Sequence, residues 1–244
     1  MNHVKRAIIM AAGRGKRMRP LTDTTPKPLI PVNGRPMIET IIDGLHMQGI
    51  TEIYVVVSYL KEKFTYLPLK YKNLKLITNP YAAKYNNISS LYVAREHLQD
   101  VMILDGDQLI NDPQVLQPEF RYSGYNGTWC EGHTTEWLLN VNDQNIITHC
   151  SRNGGDHGYR LYSVSRWNAA DGQKLKHYLE VEFKKGNTDI YWDDVAIFCY
   201  PHKFILGVYS MSQNAVQEID NVHQLSEIDP AYCKYIMKSG LQNE

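Results

Sequence analysis

The feature that most constrains the fold is a series of short apolar runs with amphipathic stretches between them. Ala7–Ala12 (AIIMAA) contains no polar residue and stops at Gly13. A half-exposed strand would alternate, so an unbroken run of this length predicts a strand buried on both faces. Pro36 opens a segment with Met37, Ile38, Ile41, Ile42 and Leu45 on one helical face, and Gly49 closes it. Glu52–Leu60 (EIYVVVSYL) is rich in β-branched residues and reads as the next strand, with Lys75–Thr78 as a third. Ile88, Leu91, Tyr92 and Leu98 mark another helix, and Val101–Asp107 (VMILDGD) a strand ending in two carboxylates. This alternation predicts βαβ units: an α/β, Rossmann-like, mostly parallel (mixed) sheet flanked by helices.

The second half is less regular. Turns are expected at SGYNG (Ser123–Gly127) and RNGGDHG (Arg152–Gly158), a helix over Asp171–Lys185, and an extended segment over DIYWDDVAIF (Asp189–Phe198). A last helix follows Asn221, and the KSGLQNE tail reads as disordered. With 244 residues, 43% of them hydrophobic, and no repeat or linker, the chain is expected to form a single domain with a small substrate lobe.

Charge narrows the function. Lys plus Arg and Asp plus Glu both number 26, so binding to nucleic acid by bulk charge is not expected. The four cysteines are scattered, without CxxC pairs, which suits reduced thiols in a cytoplasmic protein. No run approaches the roughly 20 apolar residues of a membrane helix, so no membrane insertion is expected. Against this neutral background, Ala7–Leu29 (AIIMAAGRGKRMRPLTDTTPKPL) concentrates positive charge in one loop.

A glycine-bearing turn after a strand exposes backbone N–H groups to an anion, and arginine adds a fork that matches phosphate oxygens. Gly13 and Gly15 permit the turn, Arg17 and Arg19 supply charge, and Lys27 is fixed between Pro26 and Pro28. Neither GxxxxGK[ST] nor GxGxxG is present, the latter because residue 18 is Met. On residues alone, a solvated basic turn stays open beside the phosphate cradle.

The stretch AAGRGKRMRPLTDTTPKPLIPVNGRPMIE resembles the N-terminal signature of the nucleotidyltransferases that activate phosphorylated compounds with an NTP. TTEWLL, DIYWDD and QEID are similar to the bacterial CTP:phosphocholine cytidylyltransferase branch in particular. The resemblance implies a nucleotide-binding half over 1–110 and an acceptor-binding half over 111–244. It implies that Ala11, Ala12, Gly13 and Gly15 wrap the nucleotide, while Arg17 and Lys27 hold the triphosphate. Lys16 departs from the pattern, since many members carry a small hydroxyl residue there; whether it binds phosphate stays open.

Asp105 and Asp107, two apart on an extended strand, would face one side. The resemblance makes Asp107 a ligand of Mg²⁺, with Asp193 as its partner and Asp105 as support. A helix-capping role is the plain alternative for these acids. Asn87 and Ser90 fall where relatives place pyrimidine contacts, with helix capping by Asn86 or Asn87 as the alternative.

For the acceptor, the branch implies an aromatic and acidic pocket for a quaternary ammonium. Trp137 and Tyr191 would supply ring faces and Glu218 a distal charge, with Trp192 either wall or core. Glu218 could equally be a solvated acid ahead of a helix capped by Asp220. A primary ammonium, as in phosphoethanolamine or 2-aminoethylphosphonate, would instead need hydrogen-bonding carboxylates such as Glu131, Glu136 or Asp194.

The expected reaction joins CTP and phosphocholine to give CDP-choline and pyrophosphate, with Lys27, Arg17 and Asp107 as catalytic residues. An aminoethyl acceptor, a sugar 1-phosphate acceptor, or a non-catalytic nucleotide sensor are the alternatives. Whether the chain works within a longer fusion stays open.

Overall fold

The structure is a computed structural model and describes residues 1–239. Its centre is a nine-stranded mixed sheet. The Arg6–Ala11 strand lies in the middle, parallel to Glu52–Val57 on one side and to Val101–Asp105 on the other. Leu74–Thr78 continues the parallel part beyond Glu52–Val57. Ile8, Ile9, Val55, Val56, Ile103 and Leu104 are completely buried, as runs without alternation require.

Beyond Val101–Asp105 the sheet turns antiparallel. Gly155–Trp167 pairs with it and also with Gly124–Thr134 and Leu138–Val141. Gly207–Ser210 adds a parallel edge to Gly124–Thr134, and Ile147–Ser151 closes the other margin against Leu138–Val141. Strands from both halves of the chain therefore share one sheet.

Helices cover both faces. Met37–Met47 packs its Ile38, Ile41, Ile42 and Leu45 stripe against one face. Ile88–Val93 and Ala169–Lys185 cover the other. Asn168 caps Ala169–Lys185 by accepting from the Asp171 N–H, and Gly186 ends it in the left-handed conformation at φ 79°. The expected helix through Leu98 is shorter, with a 3₁₀ turn at Arg95–His97 taking over.

Three local expectations are corrected. SGYNG is not a turn: Gly124–Gly127 opens a strand, and a Cβ on Gly124 would collide with the Gly207 carbonyl of its neighbour. Glycine there serves close strand approach, a use that looks like a turn signal in sequence. The latter part of RNGGDHG likewise joins the Gly155–Trp167 strand.

DIYWDDVAIF is not extended. Trp192–Asp194 forms one helical turn that continues as a π-helical segment over Val195–Cys199. The Tyr191 N–H donates to Asp194 Oδ2 at 2.8 Å and starts the turn. Trp192, Val195 and Ala196, spaced as a helix requires, are all buried. Packing has overridden the β-branched composition.

The helix after Asn221 is present as Val222–Ile228, with Asn221 accepting from the Gln224 N–H. Cys233–Ser239 is helical, and residues 240–244 of the KSGLQNE stretch lie outside the described residues. Among the described residues the four cysteines are unpaired, and no helix is long and apolar enough to cross a membrane.

Candidate active site

The strand order fixes where a ligand can sit. From Arg6–Ala11 the chain steps outward to Glu52–Val57 and Leu74–Thr78, then returns to the opposite side of the first strand at Val101–Asp105. In open α/β sheets, such a reversal leaves a crevice at the carboxyl ends of the two central strands. The loop from Ala11 and the turn from Asp105 leave those two ends side by side, and the Gly106 N–H donates to the Met10 carbonyl at 2.9 Å. Between them lies a cleft of about 510 Å³. Among its lining residues are Ala11, Ala12, Gly13, Gly15, Lys16, Arg17, Lys27, Asn87, Ser90, Asp105, Asp107 and Asp220.

The glycines do different work. Gly15 has φ 60°, and a Cβ there would lie 2.9 Å from Thr22 Cγ2 and 3.0 Å from Lys27 Cβ. The Thr22 hydroxyl donates to the Gly15 carbonyl at 2.9 Å and pins this turn. A side chain at Gly13 would meet nothing within 4 Å, so its absence leaves room beside the cleft instead of relieving a clash. Lys16, left open by the sequence, lines the cleft.

Lys27 opens a 3₁₀ turn between its two prolines, and its side chain is 8% exposed. Its Nζ donates to Asp107 Oδ2 at 2.5 Å and to Asp220 Oδ1 at 3.0 Å. Arg17 Nη2 reaches the same Asp220 oxygen at 2.7 Å. Burial disfavours the charge on Lys27, but the two carboxylates outweigh it and hold the pKa above the usual lysine value. Asp107 sits in the turn after its strand, which ends at Asp105. It is therefore a loop residue, whereas the sequence reading put both acids on one strand.

Asp220 is the functional candidate that sequence reasoning passed over. Its place ahead of the last helix reads as a helix cap, but Asn221 fills that role. The signal was present: Glu218 and Asp220 in QEID repeat the two-apart spacing of the acids in DGD, and the Val216–Glu218 strand pairs with Gln108–Ile110.

Several acids converge behind this pair. Burial, then Asp107, Asp193 and Glu218, raise Asp105 well above the ordinary carboxylate range. Burial pushes Glu218 up to about 7; Asp107 and Asp220 add to the effect, and Lys27 opposes it. Glu218 is half-buried at the end of its strand, and its electrostatic neighbours Asp107, Asp220 and Lys27 are those of the phosphate side of the cleft. Burial likewise pushes Asp193 up to about 8.

Asp193 is 5% exposed and is not among the cleft-lining residues, and its Oδ1 is buried without a hydrogen-bond partner. Asp107 and Asp220 share the Lys27 ammonium, while Asp193 lies behind them as an electrostatic neighbour of Asp105, so Asp220 joins Asp193 as a candidate partner of Asp107. Among the described residues, no three His, Cys, Asp or Glu side chains form a closed metal cage. Two facing carboxylates beside an open cleft still fit a hard cation, such as Mg²⁺, that keeps waters and borrows substrate phosphates.

On the far wall, Asn87 Oδ1 accepts from the Trp192 N–H at 2.9 Å and makes no helix-capping bond. That bond leaves the amide nitrogen of Asn87 as its remaining donor. Ser90 Oγ accepts from Asn79 Nδ2 at 3.1 Å, which leaves its hydroxyl proton for the cleft.

The aromatic group forms next to this wall. Trp137 and Tyr191 meet edge to face at 5.9 Å, and Trp137 meets Phe198 at 5.3 Å. Trp192 lies wholly in the core, against Tyr125 and Trp167. The Arg152 guanidinium lies 5.4 Å above the Trp137 ring and 4.0 Å above Phe198, with Nη2 2.6 Å from Asp194 Oδ1. Nothing in the RNGGDHG stretch points to this placement of Arg152.

This phosphate-scale cleft at a topological switch point, with lysine and arginine facing paired acids, defines a nucleotidyltransferase. A family model for the MobA-like NTP transferase domain matches residues 7–160, and the chain belongs to that family. It is 38% identical over 236 residues to the 2-aminoethylphosphonate cytidylyltransferase of Lancefieldella rimae, covering 96% of this chain and 95% of that one. It is 34% identical over 229 residues to the choline-phosphate cytidylyltransferase of Streptococcus pneumoniae, covering 92% and 96%. Among solved structures, the CTP:phosphocholine cytidylyltransferase of Streptococcus pneumoniae superposes with a TM-score of 0.87 at 33% identity, covering 94% of this chain and 99% of that one.

Proposed function

We propose that the protein transfers a cytidylyl group from CTP to a small aminoalkyl phosphonate or phosphate, with 2-aminoethylphosphonate as the preferred acceptor. Cytidylyl transfer is supported by two full-length relatives, both cytidylyltransferases. The acceptor reading departs from the phosphocholine expectation on one observation. The Trp137 face that a quaternary ammonium would use already carries Arg152. Asp194, the carboxylate that would compensate a bound cation there, is already met by the same Arg152 at 2.6 Å. A primary ammonium binds through N–H donors to acceptors elsewhere in the site, whereas a trimethylammonium has no N–H and depends on an open ring face. Phosphocholine is the second reading, favoured by the 48% exposure of Tyr191.

An oxygen of the acceptor attacks the α-phosphorus of CTP in line. The new P–O bond forms as the bond to pyrophosphate breaks, and pyrophosphate leaves on the opposite side. The attacking group is already an anion, so no covalent enzyme intermediate is needed and positioning with charge neutralisation supplies the rate. The Ala11–Gly15 loop presents backbone N–H groups to the phosphates. Lys27 holds the charge that develops at the α-phosphate, and Arg17 holds the departing pyrophosphate. Both cations rest on carboxylates in this structure, and the triphosphate takes them over. Asn87 and Ser90 bind the edge of cytosine. Asp107 and Asp220 would hold Mg²⁺, which when bound neutralises charge between the two anionic reactants. The unpaired cysteines support a cytoplasmic setting.

A competition assay tests the acceptor. With limiting CTP and equal 2-aminoethylphosphonate and phosphocholine, ³¹P NMR should show mainly the phosphonate–phosphate anhydride. Mainly CDP-choline would overturn the acceptor assignment, and neither product would overturn cytidylyl transfer.

A further inference from the structure

We infer that Arg152 is the specificity-determining residue for the acceptor's ammonium group, acting as a resident cation that excludes a quaternary ammonium from the aromatic cluster. This inference rests on the cytidylyltransferase reading above. Three rings, Trp137, Tyr191 and Phe198, and one buried carboxylate, Asp194, gather what a bound cation requires: π faces and a compensating negative charge. The chain fills that place itself. The Arg152 guanidinium covers Trp137 and Phe198, and its Nη2 lies 2.6 Å from Asp194 Oδ1.

The rest of the cluster is fixed. Asp194 is 1% exposed, and its other oxygen is committed to the Tyr191 N–H. Trp192, in the same turn, is tied by its N–H to the cleft residue Asn87. Arg152 differs: its side chain is 46% exposed, and it follows the end of the Ile147–Ser151 strand. It is the member of the cluster that a substitution can remove while leaving the rings in place.

A guanidinium in this position has two consequences. It denies the Trp137 face to a trimethylammonium group, whose main attraction is that face. It also cancels the Asp194 charge, so a cationic acceptor must rely on other carboxylates, which only a primary ammonium can address through N–H donors. Acceptor choice is then set by one residue of this chain, while the phosphate chemistry at Lys27 and Asp107 is indifferent to it.

The test compares the wild-type enzyme with Arg152→Met, which keeps the stem and removes the charge. The ratio of kcat/KM for phosphocholine to that for 2-aminoethylphosphonate should rise about tenfold, within the range of a desolvated cation–π contact, and chiefly through the phosphocholine KM. The KM for CTP should not move. Arg152→Met leaves Asp194 buried without its counter-charge, so the double variant Arg152→Met with Asp194→Asn is run beside it. That variant frees the rings without an unpaired charge and should keep a raised ratio.

Tetramethylammonium binding, followed by tryptophan fluorescence, reads the same site without turnover and should tighten in Arg152→Met. If the wild type uses neither acceptor, the proposed function fails, while tighter tetramethylammonium binding would still support the role of Arg152. A ratio that is unchanged in both variants, or kcat/KM values that fall equally for both acceptors, would reduce Arg152 to a structural counter-ion and overturn the inference.

Discussion

Lys27 Nζ lies 2.5 Å from Asp107 Oδ2 and 3.0 Å from Asp220 Oδ1, so one buried ammonium joins acids from two distant parts of the chain. This contact brings the opening loop, the DGD turn and QEID into one site.

Replacing Lys27 with Met removes the positive charge at the reacting phosphate. Loss of a preorganised charge donor of this kind costs about 10²–10³-fold in kcat. The loss should appear in steady-state pyrophosphate release, with a smaller change in the KM for CTP, because Arg17 and the backbone loop still hold the nucleotide. A variant with undiminished kcat would remove Lys27 from catalysis.

Asp220→Asn separates the two possible partners of Asp107. If Asp220 shares the metal, the variant should need more Mg²⁺ for half-maximal activity and lose about 10–100-fold in kcat/KM. Asp193→Asn should leave the Mg²⁺ requirement close to that of the wild type. The reverse pattern in the two titrations would restore Asp193 as the ligand.

Gly15→Ala tests the turn itself. The site has φ 60°, and a methyl there presses on Thr22 and Lys27. Placing an L-residue in that conformation costs about 1–2 kcal/mol, before any steric cost. Urea unfolding should show a lower midpoint with an unchanged slope, and the KM for CTP should rise. An unchanged midpoint would mean that the loop relaxes freely.

The acids predict a pH dependence of stability. Burial raises the folded-state value of Asp193 from 3.8 to about 8, and Asp105 is raised in the same direction. Across that window the folded protein keeps a proton that the unfolded chain has released, so stability falls as the pH rises and levels off above about 8. Asp193→Asn cannot titrate and should flatten, without abolishing, the decline of Tm between those limits. Parallel Tm curves for the variant and the wild type would contradict the assignment.

The parallel half of the fold was legible because its signals are local. A short apolar run without alternation, closed by glycine or acids, reads as a doubly buried strand, and Ala7–Ala12 and VMILDGD fall within a residue or two of the observed strands. The strand order then placed the GRGK loop beside DGD. The second half resisted because its residues answer to distant partners. Gly124 resembles a turn residue but is set by Gly207 on the neighbouring strand. DIYWDD resembles a strand but is wound by the Asp194 carboxylate and the burial of Trp192. Asp220 was hidden by proximity to a helix start, and Arg152 by a turn-rich segment with no chemical pattern. Ion pairs across some two hundred residues leave no periodicity to read.

Nucleotidyl transfer at the Lys27–Asp107–Asp220 cleft is read by pyrophosphate release. Purified protein with Mg²⁺ and 2-aminoethylphosphonate is assayed with CTP and, in parallel, with UTP; phosphocholine and glucose 1-phosphate serve as comparison acceptors. The expected result is pyrophosphate release that requires both CTP and an aminoalkyl acceptor, is fastest with 2-aminoethylphosphonate and is lost in Lys27→Met. Tight CTP binding without pyrophosphate release for any acceptor would contradict it and leave a nucleotide-binding domain without transferase activity.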